Sequence, residues 1–192
     1  VNVAGGVIDA SVKPGIDLME NMGQLLFGLT GGNVTRLDVE VRGEIAAHDV
    51  TVLKLAGLKG FYQNAVEDQV SYVNAPLLAA ARGVEVGLSV DPRSDEYRNV
   101  TTIRAILADG TSHSVSGTVI GPKLIQKIVN INGYDVDLAL AEDLVLLIYT
   151  DRPGVVAIYG KAFAENDINI AAMQIARNSK GGKALSVITV DS

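Results

Sequence analysis

At 192 residues the chain has room for one large or two small domains, and it is short for an enzyme that needs separate cofactor and substrate domains. With 22 acidic against 16 basic side chains the net charge is −6, and Lys and Arg stand singly, so no basic patch exists to neutralise nucleic-acid phosphates or anchor a membrane surface. Zero cysteine removes disulfides, thiolate metal sites and cysteine nucleophiles together.

Other classes fall away on spacing. The apolar run Leu144–Tyr149 is far below the ~20 residues of a membrane-spanning helix, and no charged segment followed by an apolar one opens the chain. A cytoplasmic protein is expected, with neither membrane nor nucleic acid as partner. His48 and His113 lie 65 residues apart, so no local histidine pair can hold a metal, and each reads as an ordinary polar residue. Among 20 glycines no two stand two positions apart, which excludes the dinucleotide fingerprint. The chain opens on Val1 without methionine and ends in a strand-like run at Ser192, so both ends are expected to be cut.

In chain order, Ile16, Met19, Met22, Leu26 and Leu29 recur at helical spacing over 13–29, with Gly31-Gly32 as the stop. Val34–Arg42 alternates apolar with polar and predicts a strand buried on one face. Residues 47–62 return to a helical period, and Asn74-Ala75-Pro76 predicts a third helix capped by Asn74. Val84–Val90, Val100–Ala108 and Ser112–Ile120 then read as strands, the last two joined at Asp109-Gly110. Ile128–Ile131 and Tyr134–Leu140 follow, joined at Asn132-Gly133.

Leu144–Tyr149 reads as a strand buried on both faces. Thr150–Gly154 is a turn with Pro153 suited to a first helical turn, Val155–Ala164 a helix, and Ile168–Ala176 and Ala184–Val190 a pair of strands. The fold class is therefore α+β in two domains, with a boundary near residue 142.

The β-α-β-β order with Tyr149-x-Asp151-Arg152-Pro153-Gly154 and Asn169-Ile170 resembles an ACT domain, a ferredoxin-like βαββαβ module that binds amino acids. The remainder is similar to the long form of the D-3-phosphoglycerate dehydrogenase family. Val1–Gly6 resembles the last segment of its catalytic part. Tyr72–Pro76, Gly121-Pro122-Lys123 and Gln126–Gly133 resemble its intervening domain.

The resemblance implies 1–9 as the end of a catalytic region, 10–142 as an intervening domain with a largely antiparallel sheet, and 143–192 as an ACT domain lacking its last helix and strand. It implies no catalytic residue, metal or cofactor in this chain, and NAD in the parent enzyme. Serine biosynthesis and a homo-oligomer, a dimer through ACT domains or a tetramer built on it, are implied too. Regulatory domains of an iron–sulfur L-serine dehydratase and a free-standing amino-acid-binding module are the alternatives. The Val1–Gly6 start speaks against the first, and the absent start methionine against the second.

For the sites, the resemblance implies L-serine held between two ACT domains. Asp151 would take the ammonium, amides around Gly154, Val155 and Val156 the carboxylate, and Tyr149, Asn169 and Ile170 would complete the contacts. Residue by residue other roles stay open: Asp151 as a helix cap, Asn169 in a turn, Tyr149 as a strand aromatic. In the intervening domain Lys127 matches the lysine of an anion site whose two arginine positions are here Ala139 and Thr189. The loss of bidentate donors predicts weak or absent phosphate binding.

Overall fold

The computed structural model describes residues 7–31, 34–139 and 143–191. The Val1–Gly6 segment, Gly32 and the proposed boundary at 142 lie outside them. The chain divides into two compact units, Val1–Asn132 with Asp137–Ala139, and Gly133–Val136 with Leu140–Ser192.

In the first unit α1 (Gly15–Thr30) is followed by β1 (Val34–Gly43), a short 3-10 turn (Glu44–Ala47), α2 (Thr51–Gln63), α3 (Ala75–Ala81) and β2 (Glu85–Asp91). The strands β3 (Asn99–Leu107), β4 (Ser112–Ile120) and β5 (Ile125–Ile131) continue the sheet, and β6 (Tyr134–Ala139), of which Asp137–Ala139 fall in this unit, ends the order β2-β1-β3-β4-β5-β6. β1 and β2 pair in parallel with Leu37 opposite Val86, and parallel neighbours require a crossover, here carried by α2 and α3. β1/β3, β3/β4 and β4/β5 are antiparallel.

The alternation in Val34–Arg42 does what its period dictates: Leu37, Val39 and Val41 are buried, and the polar residues between them face outward. This apolar face meets α2, and α1 lies over the neighbouring strands β3, β4 and β5, burying Leu18, Met19, Met22 and Leu26 on the side of the sheet that also buries Ile103, Ala105, Val115, Ile128 and Ile131. Each such Leu, Ile, Val or Met side chain stabilises the fold by about 1.5–3 kcal/mol relative to exposure. α1 ends where Gly31 takes φ 63, its N–H donating to the Phe27 carbonyl.

α1 and α2 run close together because small residues stand at the crossing. A Cβ on Gly23 would lie 2.2 Å from the Gly57 carbonyl oxygen, and one on Gly60 would lie 1.9 Å from that of Glu20. Phe27 packs edge-on against Phe61 beside this crossing, with ring centroids 5.5 Å apart. Glu20 also accepts hydrogen bonds from Lys59, at 2.7 Å, and from the Tyr72 hydroxyl.

Asp109-Gly110 joins β3 to β4 as expected: Gly110 takes the positive φ of the turn and the Leu107 N–H donates to the Thr111 carbonyl, closing a three-residue loop. One local expectation is corrected. Asn74 stands at the N-cap of α3 without capping it. Its Oδ1 accepts from the Ser71 N–H at 2.6 Å and its Nδ2 donates to the Gln69 carbonyl, which shapes the preceding loop instead. Asn132 and Gly133, with φ 52 and 81, form the two-residue turn expected between β5 and β6.

The second unit holds β7 (Leu144–Thr150), α4 (Val155–Glu165), β8 (Asn169–Arg177) and β9 (Lys183–Asp191), with sheet order β7-β9-β8. β9 is antiparallel to both neighbours, so β7 and β8 run parallel with one strand between them, joined through α4: a split βαβ. The mixed composition and largely antiparallel sheets are those of an α+β chain.

Leu144–Tyr149 is not buried on both faces. β7 is an outer strand and half-exposed throughout, whereas the middle strand β9 buries Ala184 to Ile188 without a break. A continuous apolar run does not say which strand is central, since that is fixed by pairing order. Pro153 likewise stands just before the N-cap residue Gly154, not inside the first turn of α4.

Candidate functional site

Both ends of the second unit's sheet carry residues that the sequence singles out. At one end the chain leaves β7 through Asp151, whose N–H donates to the Gly182 carbonyl at 2.8 Å. Gly154 begins α4 with φ 90, a conformation that disfavours any side chain, while no atom lies within 4 Å of where its Cβ would be. Backbone geometry requires the glycine, and the space beside it is open. No side chain caps α4, so the amides of Val155 and Val156 are among the first-turn donors that a helix leaves without an intrahelical partner.

Asp151 is not a cap. Its Oδ2 accepts a hydrogen bond from Nη1 of Arg177 at 3.1 Å, the carboxylate about three-quarters buried and the guanidinium largely exposed. The Tyr149 hydroxyl points inward, 2.9 Å from Ser186 Oγ, which also lies 3.2 Å from the Tyr159 hydroxyl. Tyr149 thus ties β7 to the middle strand and to α4.

Asn169 and Ile170 lie at the opposite end. Asn169 opens β8 opposite Asp191, and its Nδ2 donates to Asp191 Oδ1 at 2.7 Å, while Ile170 pairs with Val190. Along β9 the Asp151 end falls at Gly182 and the Asn169 end at Asp191, a span of about 30 Å at ~3.3 Å per residue. Tyr149, Asp151, Gly154, Val155 and Val156 are therefore brought together, and Asn169 and Ile170 are not brought to them within one chain.

In the first unit Lys127 on β5 donates to Asp137 Oδ1 at 2.7 Å, so the candidate anion-binding ammonium already has a carboxylate. Sequence reading did not anticipate Arg177, whose signal was only a basic residue at the end of a predicted strand. It also missed a cavity of about 850 Å³ between the start of α1 and the ends of β3 and β4, with Leu18, Ile45 and Thr101 in its lining and the Arg98–Glu44 ion pair among its polar groups. Among the described residues no group of three or more His, Cys, Asp or Glu is placed to hold a metal. No helix there is long and apolar enough to cross a membrane.

A helix-covered, largely antiparallel sheet followed by a split βαβ defines a two-domain α+β chain. Residues 11–132 match the D-3-phosphoglycerate dehydrogenase intervening domain, and the chain belongs to that family. Over 191 residues it is 37% identical to a D-3-phosphoglycerate dehydrogenase of Mycobacterium leprae (strain TN) and 40% identical to one of Mycobacterium bovis, in both cases covering the whole chain and 36% of the relative. A Bacillus subtilis (strain 168) relative of the same name is 30% identical over 182 residues, covering 95% of this chain and 34% of the relative. The chain thus spans about a third of the length of the relatives it matches.

Proposed function

We propose that this chain is a regulatory, non-catalytic part of an NAD-dependent D-3-phosphoglycerate dehydrogenase, acting in the first step of L-serine biosynthesis in the cytoplasm. The second unit acts as its ACT domain and binds L-serine between two copies of the chain. No glycine-rich phosphate loop is present, so NAD does not fit here and belongs to the catalytic part of the parent.

The single observation that carries the reading is the separation of the two half-sites. Asp151 with the start of α4 stands at one end of a three-stranded sheet, and Asn169 stands at the other. Two sheets placed side by side in opposite directions would set the Asp151 end of each against the Asn169 end of the other, completing two sites per dimer. An α-amino acid there would present its ammonium to Asp151 and its carboxylate to the first amides of α4. Binding at a shared site links effector occupancy to assembly. A coupling of about 1–3 kcal/mol to the catalytic part would suffice for feedback inhibition.

The test is titration of L-serine into the native polypeptide that carries this chain, followed by calorimetry and by hydrogen exchange. Binding heat together with protection near both Asp151 and Asn169 supports the reading, and Asp151→Asn should abolish both signals. No heat and no protection would end it. For the first unit we infer that Lys127 holds no phosphate, because Asp137 neutralises it and the arginine position on β6 carries Ala139; Thr189, expected at the other arginine position, instead stands on β9 of the second unit, opposite Leu144.

A further inference from the structure

Arg177 ends β8 on the hairpin whose far side supplies Gly182, so the β8–β9 hairpin grips Asp151 twice, through a main-chain hydrogen bond and an ion pair. Register places it there: Ala184 of the middle strand pairs with Tyr149 on one side and with Arg177 on the other, so all three share one row at the Asp151 end of the sheet. An exposed ion pair of this kind contributes little to stability, which leaves its chemistry to be explained.

The pair is incompletely used. Only Nη1 of the guanidinium meets Asp151, and it meets only Oδ2. Nε and Nη2 of Arg177 and Oδ1 of Asp151 have no hydrogen-bond partner given by the described residues. A planar guanidinium with one edge on a carboxylate still presents donors suited to a second carboxylate.

We propose that Arg177 is a second recognition residue of the effector site, joining the first amides of α4 in receiving the carboxylate of an α-amino acid whose ammonium is held by Asp151. This rests on the reading of the second unit as an amino-acid site. The four charges would then alternate, ammonium beside Asp151 and carboxylate beside Arg177, so that every nearest neighbour is of opposite sign. The arrangement selects against both halves of the ligand offered separately. An amine without a carboxylate meets Asp151 but is repelled by Arg177, and a carboxylic acid without an amine meets the reverse. Specificity for zwitterions follows from one ion pair supplied by the ends of two strands.

The experiment compares L-serine with L-serinamide, which keeps the ammonium and the side chain but has no carboxylate charge, by calorimetry and competition on the native polypeptide. Wild type, Arg177→Gln and Arg177→Lys are each measured. Arg177→Gln should weaken L-serine by about tenfold or more, the loss of one charge-assisted hydrogen bond, and leave L-serinamide unchanged or slightly tighter. Arg177→Lys should recover part of the discrimination, with unchanged circular dichroism showing that all three proteins are folded. Equal L-serine affinity in Arg177→Gln and wild type would overturn the proposal, and so would equal losses for both ligands, which would mean that Arg177 only orients Asp151. A wild type that binds no L-serine would instead overturn the reading beneath it.

Discussion

Replacing Gly60 by alanine tests the helix crossing on which the first unit is built. In an exposed helix interior this change gains about 1 kcal/mol, because alanine loses less backbone freedom on folding. Gly60 is buried in the last turn of α2, and a Cβ there would sit 1.9 Å from the Glu20 carbonyl oxygen, where ordinary contact begins near 3.4 Å. The helices must therefore part by about 1.5 Å. A gap of even 0.5–1 Å forfeits roughly a quarter to a half of the dispersion attraction between facing atoms, and overpacking of this kind costs about 1–3 kcal/mol. Glu20 also holds Lys59 and Tyr72, so displacing its backbone disturbs those bonds as well. Taking the upper end of the clash and subtracting the propensity gain leaves a net loss of about 2 kcal/mol, or about 4–8 °C in Tm for a chain of this size. Gly28→Ala is the control. Gly28 is exposed on α1, with nothing within 4 Å of its added Cβ, so the same chemical change should raise Tm by a few degrees. Thermal unfolding by circular dichroism reads both. A Gly60→Ala protein melting at or above wild type would refute the close crossing.

Tyr72 supplies a pH test. Burial, with the adjacent Glu20 carboxylate, raises its phenol above the ordinary value of 10.0. A raised folded value means that the native state keeps a proton the unfolded chain releases, so its contribution is full below pH 10 and falls as pH rises above it. Tyr72→Phe should flatten the decline of Tm above that pH and remove one late-titrating phenol from a phenolate absorbance titration; an unaltered profile would count against it. For Lys127, inorganic phosphate should give no calorimetric heat in wild type. A phosphate or sulfate ordered on Lys127 in a crystal would contradict the neutralisation by Asp137.

Legibility differed between the two units for physical reasons. α1 was readable because Ile16, Met19, Met22, Leu26 and Leu29 share one stripe, and the structure buries Met19, Met22 and Leu26 completely. β1 was readable because period-2 alternation survives only where one face is buried. β7 misled because Leu144–Tyr149 carries no alternation, and apolar content alone does not separate an outer strand from a central one. Asn74 misled because a side chain that can cap a helix can equally well fold back on its own loop.

The candidate site divides along the same line. The turn after β7 and the start of β8 were legible along the chain, where short-range pattern placed Asp151, Gly154 and Asn169, and the positive φ of Gly154 agrees with the turn read there. Strand order and register, invisible along the chain, are what bring Asp151 to Arg177, turn the Tyr149 hydroxyl inward to Ser186, and set Asn169 about 30 Å along the sheet from Asp151. Local pattern records the conformation of neighbours along the chain. Which distant residues come together depends on strand order and register, and those are set by the packing of the whole sheet.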